Sequence, residues 1–247
     1  MTLHIINSNS SGNCYVLTDN NMQMLLIECG VRIDKIKKAI RFKPANVAGC
    51  ILSHEHGDHA KSIKGLLALG INVWASAGTH TACGTASHYR AMKLVSGKSQ
   101  QIGSYEVIGF DVKHDVAEPF GFLIRHKECG TTLFLTDTYY SEYSFRGLNN
   151  IMIEANYSQD IIEERVNRGD NPAFLRDRVI QSHMSLQTCL KTLAANDLSS
   201  VNNIVLIHLS DGNSNEALFK KEVERQTGKT VTVAGKNMTI QFDKSPF

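Results

Sequence analysis

Gly49-Cys50-Ile51-Leu52-Ser53-His54-Glu55-His56-Gly57-Asp58-His59 is the stretch whose reading decides the fold. Its apolar beginning reads as a buried strand over 47–52 by length and β-branching. Three imidazoles and two carboxylates then fall within six residues, His54 to His59. On extended backbone His54 and His56 point to one side. Asp58 and His59 follow on a turn and point to a second place. Imidazole nitrogen and carboxylate oxygen are the ligands that zinc and similar divalent ions prefer. One short segment thus offers two ligands to each of two neighbouring cations.

Four more polar residues stand at the downstream ends of apolar strands. Glu28 ends Leu25-Leu26-Ile27, His114 follows Val107 to Val112, Asp137 follows Leu133-Phe134-Leu135, and His208 ends Ile204-Val205-Leu206-Ile207. Each alone has an ordinary explanation: a lone histidine is usually a satisfied core or surface residue, and an aspartate often caps a turn. Strand interiors would not tolerate such groups unpaired, whereas strand ends at one rim of a sheet converge on a single cleft.

Outward from these residues the chain reads as short strands with helices between them. Strands are expected at 3–6, 14–17, 24–28, 71–75, 106–112, 121–125, 132–135, 151–154 and 203–208. Asp19-Asn20-Asn21 has the turn chemistry of a hairpin. Helices are expected at 34–40 (ended by Pro44), 61–69, 79–94 and 215–226. The texture is helical from 158 to 195, and 230–242 holds one or two strands. No repeat and no low-complexity linker interrupts the pattern, so residues 1–247 are expected to form one domain. The expected class is α/β, with two mixed sheets packed face to face and helices outside.

The 247 residues are ordinary for a globular protein, with 42% apolar and 20% charged side chains. A net charge of +2 does not announce a nucleic-acid binder, although a groove can be basic on a neutral protein. Lys61, Lys64, Arg90, Lys93, Arg146, Arg165 and Arg168 are the cations available to follow a strand backbone. The six cysteines form no C-x-x-C pair and read as free thiols of a reducing compartment. No signal peptide and no membrane-length apolar run is evident, so a cytoplasmic location is expected. Oligomeric assembly is left open.

The H-x-H-x-D-H pattern, followed by a His, an Asp before Thr and a last His, resembles the metallo-β-lactamase fold superfamily. The resemblance covers most of the chain and implies an αββα four-layer sandwich. It also implies two cation sites: His54, His56 and His114 at one, Asp58, His59 and His208 at the other, Asp137 bridging both. Zinc is the first expectation and manganese the second. The chain is most similar to the single-domain WalJ/YycJ-type nucleases, through Ser10-Ser11-Gly12-Asn13, Ser53-His54-Glu55-His56, the segment from His114 to Pro119, Thr136-Asp137-Thr138, Glu154-Ala155-Asn156, Ser182-His183-Met184-Ser185 and His208-Leu209-Ser210. Two positions depart from the pattern. Glu28 stands where most of the superfamily has Asp, and Asn9 where the Ser-rich loop often has Gly.

The resemblance implies metal-dependent phosphodiester hydrolysis, with DNA as the expected substrate and exonuclease action. Asp58 and His183 are the candidate catalytic residues. His183 either opens a helix or leans over the cleft to protonate a leaving oxygen. Ser10, Ser11 and Asn13, with His183, are candidates for holding phosphate. A small phosphodiester such as a cyclic nucleotide is the alternative substrate. An acyl, lactone or thioester hydrolase is a weaker reading. A binding protein with a degenerate site is disfavoured because all seven ligand positions are filled.

Overall fold

The computed structural model describes residues 1–170 and 172–245. The first half runs β1 (Thr2–Asn9), β2 (Gly12–Thr18), β3 (Met24–Ile27), α1 (Ile33–Ala39), β4 (Val47–Ile51), α2 (Gly57–Ala60), α3 (Ile63–Ala68), β5 (Val73–Ala75), α4 (Ala77–Ala82), β6 (Ala91–Lys93), β7 (Ser99–Ile102) and β8 (Tyr105–Asp111). It continues with β9 (Phe120–His126), β10 (Gly130–Leu135), β11 (Leu148–Glu154), α5 (Gln159–Asn167), α6 (Ala173–Ser182), α7 (Leu186–Ala194), β12 (Asn203–Ile207), α8 (Glu216–Thr227), β13 (Thr230–Val233) and β14 (Met238–Gln241).

The strands form two seven-stranded mixed sheets, ordered β14-β1-β2-β3-β4-β5-β6 and β13-β12-β11-β10-β9-β8-β7. In the first, β14 to β3 are antiparallel and β3 to β6 parallel. The second repeats this plan, parallel from β13 to β10 and antiparallel from β10 to β7.

Period-two side-chain alternation builds the four layers. Leu25 and Ile27 face inward with Tyr15, Phe122, Phe134, Met152 and Val205, forming the core between the sheets. Their neighbours Met24 and Leu26 face outward under α1 and α3, against Ile36, Ile63 and Leu66. On the second sheet Leu133, Leu135, Ile151 and Ile153 face outward, packed on Leu186, Leu193, Phe219 and Val223 of α7 and α8. Both faces of both sheets are therefore covered, giving the αββα sandwich.

Most expected elements appear within a few residues, and the hairpin joining β2 to β3 is antiparallel as its turn residues require. The helix expected over 79–94 is a correction. Only Ala77–Ala82 is helical, and Ala91–Lys93 is an edge strand parallel to β5. Gly84 takes φ +63° and the Thr85 N–H returns to the His80 carbonyl, the closing bond of a glycine-terminated helix. The helical texture over 158–195 resolves into three helices. Gly169 ends α5 with φ +79°, extended His183 ends α6, and Ser185 caps α7 by accepting from the Thr188 N–H at 3.1 Å.

Gly30 matters most for the placement of the rim. Its backbone runs directly beneath Asp58, so that a Cβ there would fall onto the Asp58 carbonyl and crowd the His59 nitrogen. The Cys29 N–H donates to the His59 carbonyl at 2.8 Å, which binds the two segments together. Gly30→Ala should therefore destabilise the protein by about 1–3 kcal/mol through overpacking. Gly57→Ala, where nothing lies within 4 Å of the added carbon, should cost far less. Urea unfolding of the two variants checks this, and equal midpoints would contradict it.

Candidate metal centre

The downstream ends of β1, β3, β4, β8, β10, β11 and β12 gather at one rim, where parallel-running strands of both sheets stop. Three residues there adopt left-handed backbone: Glu28 with φ 64°, Asp137 with φ 45° and His208 with φ 54°. Such conformations cost non-glycine residues on the order of 1–3 kcal/mol and concentrate at functional sites. Here each turns the chain sharply just past a strand.

One group of ligands comes from the loop after β4 and the loop after β8. The ligand atoms of His54, His56 and His114 lie within 4.8 Å of one another. His54 Nδ1 is engaged by Ser53 Oγ at 2.9 Å, so its Nε2 is turned into the cluster. That Nε2 is buried and makes no hydrogen bond among the described residues. His114 Nε2 and His56 Nδ1 face each other at 3.2 Å. The His114 loop is tied to the motif by the Ala117 N–H, which donates to Glu55 Oε1 at 2.9 Å.

A second group comprises Asp58, His59 and His208, also within 4.8 Å. Asp58 Oδ2 lies 3.4 Å from His59 Nε2 and 3.3 Å from His208 Nε2. Asp137, 2% exposed, stands between the groups. Its Oδ2 is 2.6 Å from His59 Nε2 and 3.3 Å from His54 Nε2, and its Oδ1 is 2.8 Å from His208 Nδ1.

Two buried glutamates back this arrangement. Glu28 approaches His59 Nδ1 at 3.4 Å and accepts from the Ser53 N–H at 3.3 Å. Its longer side chain thus still reaches the imidazole. Glu154, at the end of β11, carries part of the family resemblance but has no site role assigned to it from the sequence. Its Oε1 lies 2.8 Å from His183 Nδ1 and 2.9 Å from His208 Nδ1, while Oε2 accepts from the Met184 N–H at 3.1 Å. The available signal was a carboxylate ending an apolar strand, as at Glu28. His183 breaks the helical run, so its ring reaches Glu154 and lies 3.0 Å from Asp137 Oδ1.

Burial works against charge throughout the cluster, and neighbours decide the outcome. Burial, reinforced by His59, holds His54 well below the usual histidine range, and burial also lowers His114. Both therefore present neutral lone pairs. Burial would lower His59 and His208, but Asp137 beside both pushes them well above that range. Burial would raise Asp58 and Asp137, yet His59 and His208 hold both carboxyls far down. His183 is pushed up to about 9 by Glu154 and Asp137 against its burial. The buried carboxylates thus favour positive charge beside them, which divalent cations would supply. Neutral imidazoles, ionised carboxylates and a hydrogen-bond-free buried His54 nitrogen fit divalent metal ions well.

The cluster opens into a cleft of about 1050 Å³ lined by His56, Asp58, His114, Asp137, His183 and His208. Ser10 lines it too. Ser11 instead donates to Asn9 Oδ1 at 2.6 Å, bracing its own loop. Asn13 is buried with its amide 3.2 Å from His59 Nε2. None of the seven basic residues singled out from the sequence lines the cleft; its cations are Lys113, Arg176 and Arg178. The other histidines lie elsewhere: His4 bonds Thr239, His80 bonds Thr85 and the Met92 carbonyl, His88 stacks on Tyr89, and His126 packs on Tyr105.

A sandwich of this topology with such a rim defines a metal-dependent hydrolase of the metallo-β-lactamase fold. Residues 24–209 match the model of the Beta-lactamase superfamily domain, and the chain belongs to that family. It is 28% identical to exodeoxyribonuclease YycJ of Bacillus anthracis, over 91% of this chain and 89% of that protein. It is 25% identical to exodeoxyribonuclease WalJ of Streptococcus pneumoniae, over 98% of this chain and 93% of that one. The metallo-beta-lactamase fold protein YhfI of Bacillus subtilis superposes with a TM-score of 0.75 at 14% identity, covering 97% of this chain and 98% of that structure. No helix among the described residues is long and apolar enough to cross a membrane.

Because Glu154 holds two imidazoles at once, Glu154→Gln should weaken zinc binding by about 10–100-fold while leaving the circular dichroism spectrum intact. Calorimetric titration of the metal-depleted protein measures it. Unchanged affinity would show that Glu154 does not orient the ligands.

Proposed function

We propose that this protein hydrolyses phosphodiester bonds of DNA from a strand end with a pair of divalent cations, zinc first and manganese second. The observation that carries the reading is the convergence of seven ligand side chains in an open cleft that also bears cations. End-to-end similarity to two exodeoxyribonucleases supports DNA over other phosphodiesters. The open cleft favours a strand over a cyclic nucleotide. We assign His54, His56 and His114 to one cation, Asp58, His59 and His208 to the other, and Asp137 to both. Bound there, the cations supply a water acidic enough to attack at neutral pH and offset the charge of the phosphoryl group.

The chain's own residues do the rest. Asp58, partly exposed in the cleft, accepts a hydrogen bond from the attacking water and orients it. Glu28 and Glu154 hold His59 and His208 in orientation. His183 is anchored through Nδ1, which leaves Nε2 to carry a proton to the leaving oxygen. Ser10 offers its hydroxyl to a phosphate oxygen, with Ser11 and Asn13 fixing the loop behind it. The pairing of β14 with β1 supports reading the described residues as one domain. Six free cysteines suit a reducing, cytoplasmic setting.

The test is an assay of metal-reconstituted protein on single-stranded DNA, double-stranded DNA and cyclic nucleotides. DNA should be degraded, and chelation should abolish the activity. Asp58→Ala and His59→Ala should each lower kcat by about 10²–10³-fold with the fold retained. His183→Ala should lower kcat by about 10²-fold with unchanged metal content. Full activity in the Asp58 and His59 variants, or turnover of cyclic nucleotides alone, would overturn the reading.

A further inference from the structure

Beside α1 the outer side of β1 opens into two hollows away from the metal cleft, of about 340 and 580 Å³. They share His4, Lys38 and Ala39, so the two adjoin as one trough. Lys35 and Lys236 line the first hollow, and Arg41 and Lys43 the second. With Lys38 they make five cations, supplied by α1, by the turn that follows it and by the turn between β13 and β14.

This charge is uncompensated. All five side chains are exposed, and none makes an ion pair among the described residues. Asp34, the one carboxylate of α1, is bonded to Arg32 at 3.0 Å. Asp19 is the single carboxylate lining the trough, and it is engaged by its own surroundings. Its Oδ1 accepts from the Asn21 and Gln23 N–H groups at 3.0 and 2.8 Å, and its Oδ2 from the Ser104 hydroxyl at 3.3 Å. The whole chain carries only +2, so the excess is local. A helix dipole favours cations in the last turn, which accounts for Lys38. It does not account for Lys35 in the first turn or for Lys236 on a different element.

The backbone holds part of this charge in place. The chain leaves α1 through two successive left-handed residues, Arg41 with φ 53° and Phe42 with φ 57°, a conformation rare for bulky side chains. Three bonds fix the turn: Arg41 N–H to the Lys38 carbonyl at 2.9 Å, Phe42 N–H to Lys37 at 2.8 Å, and Lys43 N–H to Ile40 at 3.0 Å. Arg41 and Lys43 thus stand on a closed turn rather than on a fraying helix end.

Strand β1 links the trough to the metal centre. Ser10, just past β1, lines the cleft; Ile6 and His4 line the first hollow, and Thr2 the second. At about 3.3 Å per residue, Ile6 lies roughly 13 Å and Thr2 roughly 26 Å from Ser10. Those spans equal about four to eight base-pair steps of DNA. We propose that this trough seats the phosphate backbone of DNA several steps away from the end held at the metal centre. This rests on the nuclease reading above and adds a second contact for the same substrate. Phosphate contacts position a nucleic acid without reading its sequence, which suits an enzyme that must pass through any sequence.

The experiment neutralises both hollows at once in the triple variant Lys38→Gln, Arg41→Gln, Lys236→Gln. The control is Lys220→Gln, Lys221→Gln, Arg225→Gln, which removes the same charge from α8. All proteins are metal-loaded. Fluorescence anisotropy reads affinity across salt concentrations for a DNA of about 20 base pairs, long enough to span both places, with cleavage-resistant phosphorothioate ends. The slope of log affinity against log salt should be shallower by about 2–3 in the trough variant and unchanged in the control. On the unmodified DNA the trough variant should lose about tenfold in kcat/KM. On bis(p-nitrophenyl) phosphate, which is too small to reach the trough, it should match the parent. The charge-keeping variant Lys38→Arg, Arg41→Lys, Lys236→Arg should behave as the parent throughout. An unchanged slope, an equal change in the control, or an equal loss on the small diester would overturn the trough contact while leaving the nuclease reading standing. Loss of binding to phosphatidylglycerol vesicles with DNA binding intact would overturn it too, and would assign the trough to a lipid surface. Failure to bind or cleave any DNA would bring down the nuclease reading and this one with it.

Discussion

Asp137 is almost completely buried, and a carboxylate in that position must be compensated. The compensation comes from both halves of the molecule. His54 reaches it from the loop after β4 and His59 from α2, beside the first sheet, and His208 from the end of β12 and His183 from the end of α6, beside the second. The two sheets are thus joined at one end by charge, as they are joined along their length by the apolar core. Removing one partner of such a set leaves the rest buried and unpaired, a far larger loss than a surface ion pair represents. Backbone bonds reinforce the junction: the His208 N–H donates to Ser8 Oγ at 2.9 Å, and Asn156 Nδ2 to the His208 carbonyl at 2.8 Å.

A dense set of like ligands is poor material for stability. Imidazoles face one another at 3.2 Å, and three site residues carry left-handed backbone. The surrounding fold supports this strain. Strands buried on both faces anchor every ligand-bearing loop, and helices shield the outer sides. The ligand geometry is therefore set largely before any cation arrives, which is the condition for a site to orient reacting groups without reorganising.

The layers of the sandwich were legible because alternating side chains such as Leu133, Phe134 and Leu135 divide cleanly between two faces. The seven candidate positions that the structure brings to one rim stand out in the sequence because polar residues at the ends of apolar strands have few other uses. Other features left weaker traces. Glu154 looks like the ordinary end of a buried strand, and only the position of His183 in space gives it two partners. The break between α6 and α7 that delivers His183 spans only His183 to Ser185, with His183 and Ser185 extended, within helical composition. The end of α4 depends on Gly84 and a returning Thr85 bond, which apolar periodicity does not register. Lys113, Arg176 and Arg178 line the cleft through tertiary placement, whereas the basic residues prominent in the sequence lie outside it.

Anomalous diffraction from crystals grown with zinc tests the central claim most directly. The account predicts two peaks about 3.5–4 Å apart, one bounded by His54, His56 and His114, the other by Asp58, His59 and His208, with Asp137 between them. A single peak within the cluster, or zinc found only elsewhere on the surface, would contradict it.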